Sequence, residues 1–250
     1  MSKRQPVKLK KEPLIEAVCQ LRVASKVALN TFFPGLLLAK HPEEVTDIQQ
    51  LPTAILPEQL RATQPELAYA PLVQLKFKGV VILVGERSVT VSNPAPYLGW
   101  ARFKELIINV FTDLLDAKLI TVIERFSLKY TNVIKPTDKI PSLGNLDWAV
   151  NVGKLSLNMP ATAMRTETVT HGLTTIINIT GAVIVQAGEQ TPVEGSLIDV
   201  DTIFLGPSLA AEAFAASMAD ELDRVRSSNK EVFFECLTDE AINALEPIYE

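Results

Sequence analysis

Leu72-Val73-Gln74-Leu75-Lys76-Phe77-Lys78-Gly79-Val80-Val81-Ile82-Leu83-Val84-Gly85-Glu86-Arg87-Ser88-Val89-Thr90-Val91 is the stretch on which the fold turns. Three short runs, 72–77, 80–84 and 88–91, are separated by turn residues at Gly79 and Gly85, which predicts an antiparallel meander of three short strands. Directly after it, Trp100, Phe103, Ile107, Val110, Phe111 and Leu114 recur at helical spacing. An amphipathic helix over about 98 to 117 should therefore cover one face of the meander.

Upstream, Ala17, Cys19, Leu21 and Val23 alternate with Glu16, Gln20 and Arg22, the period of a strand with one buried face; Val18 is the exception on the outer side. The Pro/Gly-interrupted stretch Thr31–Leu38 predicts a short helix, and Pro52, Pro57, Pro65 and Pro71 then mark a loop-rich region. Downstream, Val122, Phe126, Leu128 and Tyr130 lie on one side of a long strand, with Arg125, Ser127, Lys129 and Thr131 on the other.

After the break at Pro136–Pro141 the order recurs, with strands expected near Trp148–Leu157, Ala163–Thr170, Thr174–Ile179, Ala182–Gln186 and Leu197–Ile203. An Ala-rich helix should start near an N-cap at Ser208 and bury Ala210, Phe214, Met218, Leu222 and Val225. The tail Phe233–Leu237 reads as a docked apolar strand or turn, followed by a short helix capped by Thr238. Gly79–Glu86 resembles Gly181–Glu189, each followed by a strand and then a long helix, which suggests an internal duplication. The fold expected is α+β: two pseudo-repeated halves, each an antiparallel meander with a long helix, either in tandem or fused into one larger sheet. The halves are 1–135 and 136–250, the second carrying the C-terminal helix.

The charge divides at the same place. Through Lys135 there are 18 Lys and Arg against 12 Asp and Glu, and from Pro136 onward 6 against 17, although the whole chain carries only −5. Asymmetry of this kind can mark a basic binding face or head-to-tail association. Cys19 and Cys236 sit in apolar segments outside any C-x-x-C pattern, so they read as reduced thiols rather than a disulfide or zinc framework. No apolar run approaches the roughly 20 residues a membrane span needs, and the basic N-terminus lacks the apolar stretch of a signal peptide. A soluble, cytoplasmic protein is the expectation.

Motifs of catalysis are sparse. The sequence has no phosphate loop, dinucleotide fingerprint, nucleophile elbow or H-E-x-x-H helix, and no catalytic residue is assigned. Its two histidines, His41 before Pro42 and His171 before Gly172, read as a helix-end and a turn residue. Asp199 and Asp201 would point to one side of a strand, where they could chelate a hard cation or share a proton. Arg22, Lys76, Lys78, Arg125 and Lys129 all fall on the polar phase of predicted strands. If those strands are neighbours, the first half presents a cationic face for a phosphate backbone or an acidic partner, with a flexible Lys3–Lys11 arm adding attraction. Phe77, Phe126 and Tyr130 fall on the core phase, so no aromatic platform for base stacking accompanies it.

Three segments carry a family likeness: Glu12-Pro13-Leu14-Ile15-Glu16-Ala17-Val18, Arg125-Phe126-Ser127-Leu128-Lys129-Tyr130-Thr131-Asn132-Val133-Ile134, and Phe233-Phe234-Glu235-Cys236-Leu237-Thr238-Asp239. Together the chain resembles a sporadically distributed, uncharacterised prokaryotic family of about this length. That resemblance implies genes that travel, and so a link to toxin–antitoxin or phage-defence loci; it supplies no activity and carries no catalytic residue onto this chain, and no cofactor is expected. The expectation is a non-enzymatic interaction or regulatory protein with a protein partner or a second copy of itself, nucleic acid being an alternative through the basic half. The rivals are a phosphate- or metal-dependent enzyme using Asp199 and Asp201 in the cleft between halves, and a small-ligand sensor with its pocket between sheet and helix.

Overall fold

Alternation at Glu16–Val23 produces β2 (Leu14–Ser25), whose Ala17, Cys19, Leu21 and Val23 are fully buried. The computed structural model describes residues 3–136, 142–150, 153–154, 161–186, 192–204 and 209–249. Before β2 lies a short β1 (Lys8–Leu9), and after it α1 (Leu29–Lys40) runs beyond the predicted helix in both directions, with Pro34 inside it. The loop-rich region holds more structure than its prolines suggested: β3 (Val45–Gln50) and α2 (Glu58–Thr63). Then come β4 (Pro71–Phe77), β5 (Val80–Gly85) and β6 (Ser88–Pro94) of the meander, and α3 (Trp100–Asp116). The chain returns through β7 (Ile120–Ile134), and continues with β8 (Ala163–Thr170), β9 (Leu173–Val185), β10 (Val193–Phe204), β11 (Leu209–Ala210), α4 (Ala211–Glu235), α5 (Asp239–Ala244) and β12 (Pro247–Ile248).

The fold is α+β. Its main feature is a ten-stranded antiparallel sheet in the order β3-β4-β5-β6-β2-β7-β10-β9-β8, with β11 pairing β7; β1 and β12 form a separate two-stranded ribbon. β7 is the seam, because it pairs β2 on one side and β10 on the other. Three helices cover one face. α1 and α3 lie against each other and over the meander, while α4 packs on β7 and β10 and touches α3. At 1.5 Å per residue the 25 residues of α4 span roughly 37 Å, enough to join two apolar clusters along its length. Phe214, Met218, Leu222 and Val225 belong to the larger core with α3 and β2, and Phe233 and Phe234 to a second with Ile198, Val200 and Ile242. Phe214 is fully buried against Phe126, ring centroids 5.4 Å apart, and its truncation to Ala should cost about 3–5 kcal/mol.

Two turns follow directly from sequence chemistry. Lys78 and Gly79 (φ 49° and 89°) link paired Phe77 and Val80, and His171 and Gly172 (φ 52° and 74°) link paired Thr170 and Leu173. Both are two-residue hairpins with two positive φ values, the geometry that suits right-twisted strands. Thr238 caps α5 by accepting a hydrogen bond from the Ala241 N–H.

Other expectations need correction. Gly181 makes no turn: it lies inside the continuous strand β9, so the two strands predicted around it are one, and its match with the turn residue Gly79 is not kept in the structure. Phe233, Phe234 and Glu235 are the last turn of α4 rather than a strand, since both rings face the second core. Of the strand expected at Trp148–Leu157, Trp148–Val150 is not extended into a ladder, and most of the remainder lies outside the described residues, as does Ser208; α4 starts from Ala210 with no side-chain cap. The Lys3–Lys11 arm is not free. It is held by the β1–β12 ribbon, by Lys3 on Asp147 (2.8 Å), by Lys11 on Glu246 (2.8 Å) and by Arg4 over the Tyr249 ring.

Candidate functional site

Side chains of β7 alternate between two faces, and each face carries a polar cluster. On the face away from the helices, Arg125 stands opposite Arg22 of β2, and Lys129 stands opposite Asp201 of β10. Arg125 Nη2 donates to Asp201 Oδ2 at 2.6 Å, and Lys129 Nζ lies 3.7 Å from Asp199 Oδ2. Arg22 donates through Nε to Gln20 and stacks its guanidinium over the Tyr69 ring at 4.3 Å. Nearby, Ser92 donates to Glu16, and Arg87 pairs with Glu124. Asp199 and Asp201 do share one side of β10, with Ile198 and Val200 fully buried on the other. Burial raises the Asp199 carboxyl above its ordinary range, Lys129 opposing and Asp201 reinforcing the shift.

The five predicted cations therefore divide. Arg22, Arg125 and Lys129 meet at the β2–β7–β10 seam, where the acids of β10 counter two of them. Lys76 lies on the same face but on β4, with β5 and β6 between it and β2, and it pairs with Asp47 at 2.6 Å. Lys78 sits in its hairpin turn and pairs with Glu44 at 2.7 Å. The charge division has an internal counterpart as well. Among the described residues, every ion pair that joins 1–135 to 136–250 takes its cation from the first and its acid from the second: Lys3–Asp147, Lys11–Glu246, Lys104–Asp223, Arg125–Asp201 and Lys129–Asp199. Most of these are worth little singly because they are partly exposed, but their common sign favours the docked arrangement of the two segments.

As a metal centre the seam is poorly composed. Two carboxylates that already face an arginine and a lysine offer a divalent ion little net negative charge, and no group of three or more His, Cys, Asp or Glu side chains placed to hold a metal occurs among the described residues. His41 is likewise committed, its ring nitrogens bridging Asp113 (2.7 Å) and Glu44 (3.1 Å) at the end of α1. His171 is the turn residue described above.

The inward face differs. Between the β1 arm, the start of β2, β7 and α4 lies a cavity of about 90 Å³. At roughly 10–15 Å³ of such volume per water molecule, it has room for several waters or for the head group of a small anion. One wall is aromatic: the Tyr97 and Tyr130 hydroxyls share a hydrogen bond of 3.2 Å, and their rings meet edge to face. The opposite wall is α4. Arg226 lies over the Tyr130 ring at 5.0 Å, and Lys230 is one helical turn further on. Asn229, buried between them, donates to the Leu128 and Val200 carbonyls (3.1 and 2.7 Å) and so clamps α4 to β7 and β10 at once.

The charges here are not matched. Neither Arg226 nor Lys230 makes an ion pair with a carboxylate among the described residues; Arg226 Nε is buried with no hydrogen-bond partner, as are Arg125 Nε, Asp199 Oδ1 and Asp201 Oδ1 on the outer face, so it is the absence of an ion pair that sets the inner cations apart. Lys8 adds a third cation at the rim, while Glu12 is the one acid lining the cavity. Burial is the largest influence on each titrating group: it raises Glu12, against the pull of Lys8 and Arg226, and lowers Lys230, helped by Arg226. It also pushes the Tyr130 hydroxyl well above its ordinary range and raises Tyr97. Both phenols are therefore neutral donors at physiological pH.

No protein-family model matches the chain. A search of curated proteins finds no match either. Sequence reasoning missed Glu12, Tyr97, Arg226 and Lys230, because a cation pair one turn apart on a helix normally marks a solvated face. The available signal was their place beside the core positions Val225 and Asn229.

Proposed function

We propose that the chain is a non-enzymatic regulatory protein that works by binding a small anion, with a carboxylate or phosphate group, in the pocket under the β1 arm. One observation carries this reading: Arg226 and Lys230, partly withdrawn from water, face the cavity without a carboxylate partner. Partly desolvated cations in excess of their counter-charge are costly, and an anion with acceptor oxygens relieves that cost while accepting bonds from Arg226 and from the one tyrosine hydroxyl whose proton is not given to the other. The pocket is built from both segments of the chain, β1, β2 and β7 from one and α4 from the other. Ligand binding would thus bear on how α4 sits against the sheet, which is the means of regulation. The family resemblance adds the setting of a mobile toxin–antitoxin or phage-defence locus, which the neighbouring genes would test.

The outer face gives less support to a phosphate-backbone binder, because Lys76, Lys78, Arg125 and Lys129 all face carboxylates. Thermal unfolding in rising inorganic phosphate and in rising citrate separates the two readings. An anion bound in the pocket stabilises by about 2.7 kcal/mol at a hundredfold excess over Kd. The response should disappear in Arg226→Ala and persist in Lys76→Glu. An equal response in Arg226→Ala, or none from either anion at millimolar concentration, would sink the proposal.

A further inference from the structure

The ten-stranded sheet ends on one side at β8, Ala163-Met164-Arg165-Thr166-Glu167-Thr168-Val169-Thr170. Its pairing with β9 is regular over all eight residues, with no bulge. Among the described residues no strand pairs with its other edge, and every residue from Arg165 to Thr170 is exposed. Val169 is 70% exposed. An uninterrupted edge with three threonines and a valine is the kind of strand that recruits another strand.

Which groups point outward follows from the ladder. The Gly181 N–H donates to the Thr162 carbonyl (2.9 Å), so residues 162, 164, 166, 168 and 170 direct their backbone groups toward β9. Residues Ala163, Arg165, Glu167 and Val169 therefore direct theirs to the free edge. Their side chains share the sheet face away from the helices, since Arg165 stands opposite Asn178, which itself stands opposite Asp199.

We propose that β8 pairs antiparallel with β8 of a second copy of this chain, about a two-fold axis through Thr166. In that register Arg165 lies opposite Glu167 of the second copy, and Glu167 opposite its Arg165, while Ala163 faces Val169. All of these are outward-directed residues, so each pair exchanges both backbone bonds, about eight in total. Two symmetric ion pairs flank a Thr166–Thr166 contact on the axis. The backbone permits a shift only by steps that keep outward residues together. The adjacent symmetric registers place Arg165 on Arg165 or Glu167 on Glu167, and like charges directly opposite are unfavourable. Charge thus selects the register, and the sheet continues through both copies. Within one copy Arg165 and Glu167 are only loosely associated, at 3.9 Å and both exposed, so they are free to re-pair.

The test is a charge swap on the full chain, read as mass by light scattering across a concentration series, with circular dichroism to show that each variant is folded. The wild type should dimerise. Arg165→Glu and Glu167→Arg should each weaken self-association about tenfold or more, because each sets like charges against one another across the axis. Two results then separate this register from a general loss of charge: the double variant should dimerise again, and the two single variants, when mixed, should form a heterodimer. A wild type that stays monomeric at hundreds of micromolar, single variants that dimerise as well as wild type, or a mixture that stays monomeric would each overturn the proposal.

Discussion

β7 carries two polar clusters back to back, and they handle charge in opposite ways. Outward, Arg125 and Lys129 each meet an acid of the adjacent strand, Asp201 and Asp199, and the third cation, Arg22, is held by Gln20 and the Tyr69 ring. Inward, Tyr130 and Asn132 look onto Arg226 and Lys230, and the single acid of that cavity is Glu12. Both clusters are half withdrawn from water, so the difference is not one of exposure. A matched set holds strands together, whereas an unmatched set stores an electrostatic demand that a ligand can meet.

If the outward cluster is structural, breaking it should produce the largest stability loss of the polar variants. Arg125→Ala leaves Asp201 without its partner, at a side-chain exposure of 16%, and should cost about 3 kcal/mol. Replacing both members, Arg125→Met with Asp201→Leu, should recover most of that loss, because no charge is then left bare. Urea denaturation measures both. Anion binding in the pocket should be unchanged in either variant, and a loss of binding would show that the two faces are not independent.

Asn229 sharpens the comparison from the other side, since it lies within the inward cluster yet is structural. Asn229→Leu removes two donors and leaves the Leu128 and Val200 carbonyls without them, so about 2 kcal/mol should be lost. Unlike Arg125, it loosens α4 itself, so anion affinity should fall together with stability.

How far the comparison was readable from sequence depends on which interactions are local. The period-2 segments gave β2, the meander and β7, and helical spacing gave α3 and α4, because those patterns record burial within one element. β8 was read with its exact bounds and His171 as its turn. What local pattern could not supply was strand order. Lys76 and Arg22 share the same polar phase, but two strands separate them; Arg125 and Asp201 are 76 residues apart and meet because β10 inserts beside β7. Gly181 misled for a related reason: a glycine inside a long strand and a glycine in a turn look alike until the partner strand is known. The pocket was least legible, being assembled from an arm, a loop, a strand and a helix.

Arg226 gives the converse of the Arg125 experiment. Because it forms no ion pair and only attracts Glu12 from a greater distance, Arg226→Ala should change stability by less than about 1 kcal/mol, the lost packing over Tyr130 and the lost attraction to Glu12 being offset by relief of repulsion with Lys230. A loss as large as that of Arg125→Ala would mean that its charge is matched after all.

The smallest effect is a pH dependence at Asp199, the weaker of the two outward pairs. Burial holds its carboxyl above the ordinary range, so its folded pKa exceeds its unfolded one, near 4. A group shifted in that direction contributes stability that is complete below the unfolded pKa and is lost as the pH rises through the folded value. Asp199→Asn removes the titration, and in urea denaturation between pH 3 and pH 7 the variant should gain on the wild type as the pH rises. A difference that stays constant would show that Lys129, at 3.7 Å, cancels the cost of burial fully. Both outward carboxylates would then be matched, and the contrast with the pocket would be sharper than the geometry alone implies.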